Sequence, residues 1–414
     1  GTVYGTGCAN IYKTGGNYSL NGTKLLAGNV HIVQLLQGCT FNFKTHEVTL
    51  PALNRTMNTS SQMETGNYTV LASGSNTLAE NQAMLTELVT NTGLVTDSIV
   101  ILTGNATLAN TFRDKLVQLG VPVVNVNIIN ADAGTNTDLA EKINKAKKIL
   151  FLSNASAVFT QFINSGNGEL LLSKVHQDGM ITAFVGDDSR YAGKTVIENF
   201  YTLYASYDAK LTFSKGLSLL SHTVIMPNTF YNSDMYENSA TAVPYVMAKD
   251  TLKYGIWLTN HNFMKFEPVA GKTVLTGYGI APVMVISNAG TLSGFSTQTG
   301  TGSASAKPRM VAGFQQLELS MIDYTTPFSM GNLPSTGLED KLKEDAFVIL
   351  PNPASDKINI SCKYHNFGWK ISDINGFTLK EGKSWNESTL VIISDFKPGL
   401  YFVKLISAQC ANPQ

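Results

Sequence analysis

The amino-acid sequence predicts an α/β protein whose central part contains a parallel β-sheet covered on both faces by helices. Three observations support this prediction. Between residues 68 and 200, short apolar runs alternate with longer segments whose apolar residues recur at helical spacing. The short runs are apolar throughout, as in strands that are buried on both sides. Gly93 and Gly120 follow two of the helical segments, where glycine commonly ends a helix.

The predicted elements follow in order along this part of the chain. Strands are predicted at residues 68–73, 98–103, 121–129, 149–153 and 180–186. Helices are predicted at residues 77–93, 106–120, 137–148 and 155–175. Ligand sites of open parallel sheets lie at the carboxyl ends of the strands. We therefore expect any site near three groups that follow strands, namely Ser153, Asn154 and the turn Asp187-Asp188-Ser189.

Composition limits the classes of function. The chain has 414 residues, of which 43% are hydrophobic, which is enough for two or three domains with buried cores. Lys and Arg together number 30, as do Asp and Glu, so no basic field is available for nucleic acid or an anionic membrane. No apolar run is long enough to predict a membrane span. Known metal, nucleotide and dinucleotide motifs are missing from the sequence, so no metal or cofactor is predicted.

The stretch "AFVGDDSRYAG" (183–193) is the first candidate for chemistry. A buried strand that breaks into a short polar turn with an exposed serine is how several α/β hydrolases present a nucleophile. Serine becomes nucleophilic only beside a base, because its hydroxyl is barely ionised at neutral pH. His222 and His261 are the candidate bases for Ser189.

The order and spacing of segments over roughly residues 68–290 resemble the cyanophycinase-like serine peptidases, a family with an amidotransferase-like fold. The resemblance implies a doubly wound parallel sheet with β additions. It places Ser189 at the nucleophile, Asn228 or Thr229 at the base, Asn260 at the acidic support, and Ser153-Asn154 at a Gly-Gly-Asp motif. Five segments carry it: "ILFLSNASAVFTQF" (149–162), "AFVGDDSRYAG" (183–193), "GLSLLSHTVIMPNTFYNS" (216–233), "YGIWLTNHNFMKF" (254–266) and "TVLTGYGIAPVMVIS" (273–287).

The chemistry of that family is not retained at these positions. Neither Asn228 nor Thr229 can take a proton from a serine near neutral pH. We therefore expect a protein without the ancestral peptidase activity, serving as a surface, structural or binding module. The alternative is a diverged hydrolase of peptides or esters that uses Ser189 with His222 or His261. A ligand held near Asp187, Asp188 and Ser189 is a third possibility.

The N-terminal segment, residues 1–55, resembles a later part of the chain. "TVYGTGCANIYKTGGNYSLNG" (2–22) is similar to "TVLTGYGIAPVMVISNAGTLSG" (273–294), and residues 26–43 parallel residues 310–330. One interpretation is that this β segment is the tail of a preceding repeat. The other is that it is a flap of the α/β domain itself, which is expected to span residues 66–330.

A separate module is predicted at the C-terminus. Residues 331–346 are polar and indicate a linker, and residues 347–414 contain alternating strands with an Asn375-Gly376 turn, typical of a small β-sandwich. The Pro-Asn-Pro-Ala start (351–354) and "GLYFVKL" (399–405) resemble the C-terminal sorting domain of type IX secretion in Bacteroidota. The resemblance implies a secreted or outer-surface protein handled by that machinery, with surface polysaccharide or further repeats as other partners. Because the domain normally closes with another basic strand, "SAQCANPQ" suggests a truncated end.

Overall fold

A computed structural model gives the fold of the chain, which divides into two compact units, Gly1–Pro334 and Ser335–Gln414. The structure describes all residues outside the following ranges: 4–7, 14, 37, 51–52, 57–66, 131–136, 154–155, 207, 209, 230–235, 270–271, 289–291, 300–307, 333–346, 351–353, 363–366, 374–376, 398, 400 and 408–414. In the part of the chain that is described, none of the helices combines the length and hydropathy needed to span a bilayer.

The first unit contains both helices and strands, which alternate along part of the chain. Its helices are α1 (Leu78–Thr86), α2 (Ala106–Gln118), α3 (Thr137–Lys145), α4 (Ser156–Ile163), α5 (Gly166–Asp178) and α6 (Tyr236–Lys249). Its strands are β1 (Ala9–Tyr12), β2 (Asn17–Asn21), β3 (Lys24–Leu35), β4 (Thr40–Phe41), β5 (Val48–Thr49), β6 (Leu53–Thr56), β7 (Val70–Ser73), β8 (Ile99–Thr103), β9 (Val126–Asn130), β10 (Lys148–Leu152), β11 (Ile181–Phe184), β12 (Thr195–Ile197), β13 (Phe213–Lys215), β14 (Thr223–Met226), β15 (Tyr254–Trp257), β16 (Asn262–Val269), β17 (Lys272–Gly279), β18 (Val283–Asn288), β19 (Leu292–Thr299), β20 (Pro308–Ile322) and β21 (Phe328–Asn332).

The first sheet has the strand order β21-β17-β16-β7-β11-β10-β8-β9. The strands β7, β11, β10, β8 and β9 run parallel, and β16, β17 and β21 add antiparallel pairs at one side. The parallel strands are buried along almost their whole length, as their apolar sequences predict. The predicted α/β class with parallel strands is therefore confirmed.

Helices cover the parallel strands from two sides. Phe112 of α2 is in one buried cluster with Ile101 of β8. Phe159 of α4 is in another cluster with Phe151 of β10, where the two ring centroids are 5.0 Å apart. Because neighbouring residues of a strand point to opposite faces, β8 and β10 contribute side chains to both clusters.

Two predicted elements differ from those observed. The strand predicted at 121–129 begins only at Val126, because Pro122 precedes a short 3-10 turn at Val123–Asn125. The helix predicted at 155–175 is two helices, α4 and α5. The break falls at Ser165, whose side chain caps α5 by accepting a hydrogen bond from the backbone N–H of Gly168 at 3.3 Å.

The second sheet combines the later strands with the N-terminal ones. Its order is β1-β3-β20-β18-β15-β14-β12-β13, with β2 on β3 and with β19 pairing both β20 and β6. The strands β12, β14 and β15 are parallel, and the remaining pairs are antiparallel. The short strands β4 and β5 form a separate pair.

The N-terminal segment is part of this sheet. Strand β3 pairs with β20, with Leu35 opposite Gly313. Asp323, which is 1% exposed, accepts hydrogen bonds from Asn21 at 2.6 Å and Lys24 at 2.9 Å. Burial alone would raise the pKa of Asp323, but hydrogen bonds from Thr325, Lys24 and Asn21 outweigh burial and hold the pKa below its ordinary value. The origin of this segment as the tail of a preceding repeat stays a prediction.

The second unit is built from short strands. They are β22 (Phe347–Leu350), β23 (Lys357–Cys362), β24 (Phe367–Ser372), β25 (Thr378–Ser384), β26 (Ser388–Ile392) and β27 (Phe402–Ser407). They form two three-stranded sheets, β22-β23-β26 and β25-β24-β27. Ile360 of the first and Phe367 of the second belong to one buried cluster. Most of the predicted linker (333–346), the Asn375-Gly376 turn and residues 408–414 lie outside the described residues.

Candidate functional site

The candidate site lies where β7 and β11 end at their carboxyl termini. Gly74, directly after β7, accepts a hydrogen bond from the backbone N–H of Asn228 at 3.0 Å, so the segment after β14 reaches the same place. Gly74 is packed closely against the chain beyond β15, because a Cβ atom there would lie 1.9 Å from the carbonyl oxygen of Thr259. The edge therefore brings together segments that are far apart in sequence, as expected for a sheet of this type.

The residues after β11 form a 3-10 turn, Gly186–Ala192, here called the Ser189 turn. Gly186 begins it with a φ of 53°, a conformation that favours glycine. The backbone N–H of Gly186 donates to Ser73 Oγ at 3.1 Å, and the N–H of Asp187 donates to Asn76 Oδ1 at 2.9 Å. The turn is therefore fixed to the loop that follows β7.

Ser189 is buried rather than exposed. The side chain has 0% exposure, and its Oγ lies 2.7 Å from the Ser73 carbonyl oxygen and 3.2 Å from the Phe184 carbonyl oxygen. The single hydroxyl proton is thus directed at main-chain acceptors. The sequence pattern indicated a serine on the surface of a polar turn, and the structure places this hydroxyl beneath that surface.

Neither candidate histidine is a hydrogen-bond partner of Ser189 Oγ. His222 precedes β14 with a φ of 54°, and its carbonyl oxygen accepts from the N–H groups of Lys253 and Tyr254 at 2.9 and 3.0 Å. His261 is exposed in the turn before β16, where its Nδ1 lies 3.3 Å from Oε2 of Glu80. The Ser–His contact required by the hydrolase alternative is therefore not formed in this structure.

Asp188 and Ser153 form a buried polar pair at this edge. Asp188 is 3% exposed, and its two carboxylate oxygens accept from the Ser153 N–H and Oγ, each at 2.5 Å. Burial raises the pKa of Asp188 to about 6, while the Ser153 hydrogen bonds and the charge of Arg190 act in the opposite direction. The pair joins the ends of β10 and β11, as their positions after neighbouring strands predict.

Asp187, Tyr201 and Asn228 form a second polar group, at the surface. Asp187 Oδ1 accepts from the Tyr201 hydroxyl and from Asn228 Nδ2, both at 2.7 Å, and Nδ2 lies 2.9 Å from the Tyr201 oxygen. Tyr201 is 47% exposed. No sequence motif singles out Tyr201. Its one available signal was the aromatic run "FYTLY" (200–204), which lies outside any predicted helix or strand.

A structural role for Arg190 was also not predicted from the sequence. The residue is 3% exposed, its Nε donates to the Asp187 carbonyl at 2.8 Å, and its Nη1 donates to the Ile197 carbonyl at 2.5 Å. Nη1 is also 3.6 Å from Oε2 of Glu198, and the guanidinium carbon lies 4.9 Å from the Phe200 ring centroid. Arg190 therefore holds the Ser189 turn against the chain that follows β12.

The other predicted positions have simpler surroundings. Thr229 is 1% exposed and donates its hydroxyl proton to the Met226 carbonyl at 2.8 Å. Asn260 lies half-buried in the turn between β15 and β16, and Asn154 lies outside the described residues. Within the described ranges, no group of three His, Cys, Asp or Glu side chains is arranged to hold a metal ion.

The raised pKa of Asp188 predicts a pH-dependent stability. Between about pH 4 and pH 6 the folded state binds more protons than the unfolded state, so this group's contribution to stability falls as pH rises through that window. In Asp188→Asn the amide can keep both Ser153 contacts without ionising. Urea unfolding measures the free energy of unfolding of the variant and of wild type at each pH. The difference, variant minus wild type, is expected to increase by about 2–3 kcal/mol from pH 4 to pH 7.

The exposed Asp114, whose carboxylate pairs with Arg113 at 3.0 Å, provides the control. Asp114→Asn is expected to change the free energy of unfolding by less than about 0.5 kcal/mol at every pH. A difference between Asp188→Asn and wild type that stays constant from pH 4 to pH 7 would contradict the prediction.

Comparison with known families identifies the second unit. Residues 348–411 match the family model described as a secretion system C-terminal sorting domain, as the sequence resemblance predicted. Domains of this family direct proteins through type IX secretion to the cell surface or the medium. The chain is therefore a secreted or outer-surface protein that is handled by that secretion machinery.

The solved structures that are similar to part of this chain have low sequence identity and low TM-scores. One is a peptidase from an acI-B1 Actinobacterium, with 15% identity, a TM-score of 0.39, and coverage of 53% of this chain and 92% of the peptidase. Another is a candidate peptidase E protein from Listeria monocytogenes EGD-e, with 12% identity, a TM-score of 0.38, and coverage of 53% and 99%. Both descriptions name a peptidase, as the sequence resemblance does. A search of curated proteins found no match.

Proposed function

We propose that this chain is an exported surface protein of the Bacteroidota whose α/β unit has no serine peptidase activity and serves as a structural or binding module. The observation that carries the proposal is the position of Ser189. Its Oγ is fully buried and is hydrogen-bonded to two main-chain carbonyls rather than to an imidazole. A nucleophile must reach its substrate and must lose its proton to a base, and this hydroxyl is arranged for neither step.

The surroundings of the Ser189 turn support the same proposal. Arg190, the next residue of the turn, is itself buried and is held by its carbonyl acceptors and the ring of Phe200. Both residues that the family resemblance offers for the base form structural hydrogen bonds instead, since Asn228 donates to Asp187 and Thr229 donates to the Met226 carbonyl. The half-exposed Asp187–Tyr201–Asn228 group is the part of this edge that favours a binding role.

We also propose a fold type for each of the two units. We infer that the first sheet is the doubly wound, amidotransferase-like sheet, since helices pack on both sides of its parallel strands. We also infer that the second unit is a small β-sandwich, since residues of both three-stranded sheets share one core. Surface polysaccharide and further repeats of the same protein remain the proposed partners.

Covalent labelling tests the absence of hydrolase activity. The purified chain is incubated with a fluorophosphonate probe, with an active serine protease as the positive control. We expect no labelling above that of Ser189→Ala. Labelling of wild type that is lost in Ser189→Ala would overturn the proposal in favour of the diverged hydrolase. His222→Ala and His261→Ala would then identify the base.

A further inference from the structure

A groove lined by lysines lies beside β13, the strand at one end of the second sheet. It has a volume of about 560 Å³, within the range of about 300–1,000 Å³ typical of ligand pockets. Lys194, Lys215 and Lys249 line it together with Phe213 and Asp250. This lysine groove contains no residue of the Ser189 turn, and the inference drawn from it rests on the surface polysaccharide proposed above as a partner.

The groove carries an excess of positive charge. Its one carboxylate, Asp250, is already engaged, because Oδ1 accepts from Lys249 at 2.8 Å and Oδ2 accepts from the Thr195 hydroxyl at 2.8 Å. Lys194 and Lys215 are exposed and form no ion pair with any described residue. Glu198, the residue after β12, is an acidic side chain that already has partners. It accepts a hydrogen bond from the Ser214 hydroxyl, and its Oε2 lies 3.6 Å from Nη1 of Arg190.

Protection of a sheet edge explains only part of this arrangement. Lysines on an edge strand commonly prevent pairing with another chain. This accounts for Lys215, which lies on the edge strand β13 opposite Thr195 of β12. Lys194 precedes β12, and Lys249 is the last residue of α6. Neither lies on the edge strand, yet both line the same groove. Edge protection therefore does not explain why lysines from three elements line one groove.

We propose that the lysine groove binds an anionic polysaccharide, a sugar chain that carries carboxylate or phosphate groups. The chain is exported to the cell surface, where such polymers are available to it. Lys194 and Lys215 supply cations for the acidic groups. Phe213, half-buried with the Lys249 ammonium 4.9 Å from its ring centroid, offers an apolar surface to a sugar ring. The Ser218 hydroxyl can bond a sugar hydroxyl, whereas the Ser214 hydroxyl already donates to Glu198.

Titration of the full chain with defined polymers tests this proposal. The probes are polygalacturonate for carboxylates, a phosphate-bearing mannan for phosphates, and neutral dextran. We expect wild type to bind at least one of the two anionic probes and not dextran, with affinity falling as salt is raised. The double variant Lys194→Gln/Lys215→Gln is expected to bind at least tenfold more weakly.

The control variant removes two lysine charges from residues that do not line the groove. Lys147→Gln/Lys272→Gln changes two other exposed lysines of the first unit and is expected to leave affinity within twofold. Equal losses in both double variants would show general attraction and overturn the proposal, as would wild type that binds neither anionic probe or binds dextran equally well. Circular dichroism verifies that both variants are folded. None of these results depends on the fluorophosphonate experiment, so the two proposals can fail separately.

Discussion

Arg190→Ala is expected to lower the free energy of unfolding of the first unit by about 3–5 kcal/mol. The guanidinium is 3% exposed and donates to the carbonyls of Asp187 and Ile197. Removing it leaves these carbonyls without their charged donor and Glu198 without the positive charge 3.6 Å away, and it removes the contact with the Phe200 ring. The Ser189 turn would lose its main connection to the chain beyond β12.

Urea unfolding followed by tryptophan emission measures this effect. Trp257 lies in the first unit, so Trp369→Phe/Trp385→Phe provides a background that reports on that unit alone. Arg113→Ala is the matched control, because its guanidinium pairs with an exposed Asp114. The control should lose no more than about 1 kcal/mol. Arg190→Lys should recover only part of the loss, since an ammonium cannot bond the same acceptors in a planar fork. A loss below about 1 kcal/mol in Arg190→Ala would contradict the prediction.

Gly74→Ala is expected to cost about 3 kcal/mol or more, because the site has no space for a methyl group. The added Cβ would lie 1.9 Å from the Thr259 carbonyl oxygen and 2.9 Å from the Leu258 carbonyl carbon. Both neighbours are backbone atoms, so no side-chain rotation can relieve the clash. The contact between β7 and the segment after β15 must open, and the hydrogen bond from Asn228 to Gly74 would be disturbed with it.

Gly28→Ala is the control for this substitution. Gly28 lies in β3, and a Cβ atom there would have no neighbour within 4 Å. Its stability should stay within about 0.5 kcal/mol of wild type, since alanine also restricts the unfolded chain. The measurement is the same urea unfolding in the Trp257 background. Equal stability of Gly74→Ala and Gly28→Ala would show that the close approach at Gly74 is not maintained in solution.

Local sequence pattern was sufficient to predict the parallel strands and most helices of the first sheet. Strands such as "SIVILT" are apolar almost throughout, and two of the predicted helices end at glycines, so these elements could be recognised from neighbouring residues alone. The break of the predicted helix at Ser165 was missed. No proline marks it, and the capping hydrogen bond to Gly168 becomes evident only in three dimensions.

The environment of Ser189 could not be predicted in this way. "DDSRYAG" is polar enough to suggest an exposed turn, yet Ser189 and Tyr191 are both 0% exposed. Their partners come from other elements: Ser73 accepts from Ser189, and the Phe159 ring lies 4.2 Å from that of Tyr191. Burial of a polar turn thus depends on residues distant in sequence, which periodicity and motif spacing do not report.

The pairing of β3 with β20 has a consequence for the order in which the chain folds. Leu35 and its partner Gly313 are 278 positions apart, and the pairing residues of β3 are mostly buried in the folded sheet. A chain emerging from the ribosome, or threading through an export channel, presents β3 long before β20 is available. Contacts between such distant segments form slowly, because a long loop must close first. The second sheet can be completed only when almost the whole first unit has emerged, and until then β3 lacks the partner strand that covers it in the folded protein.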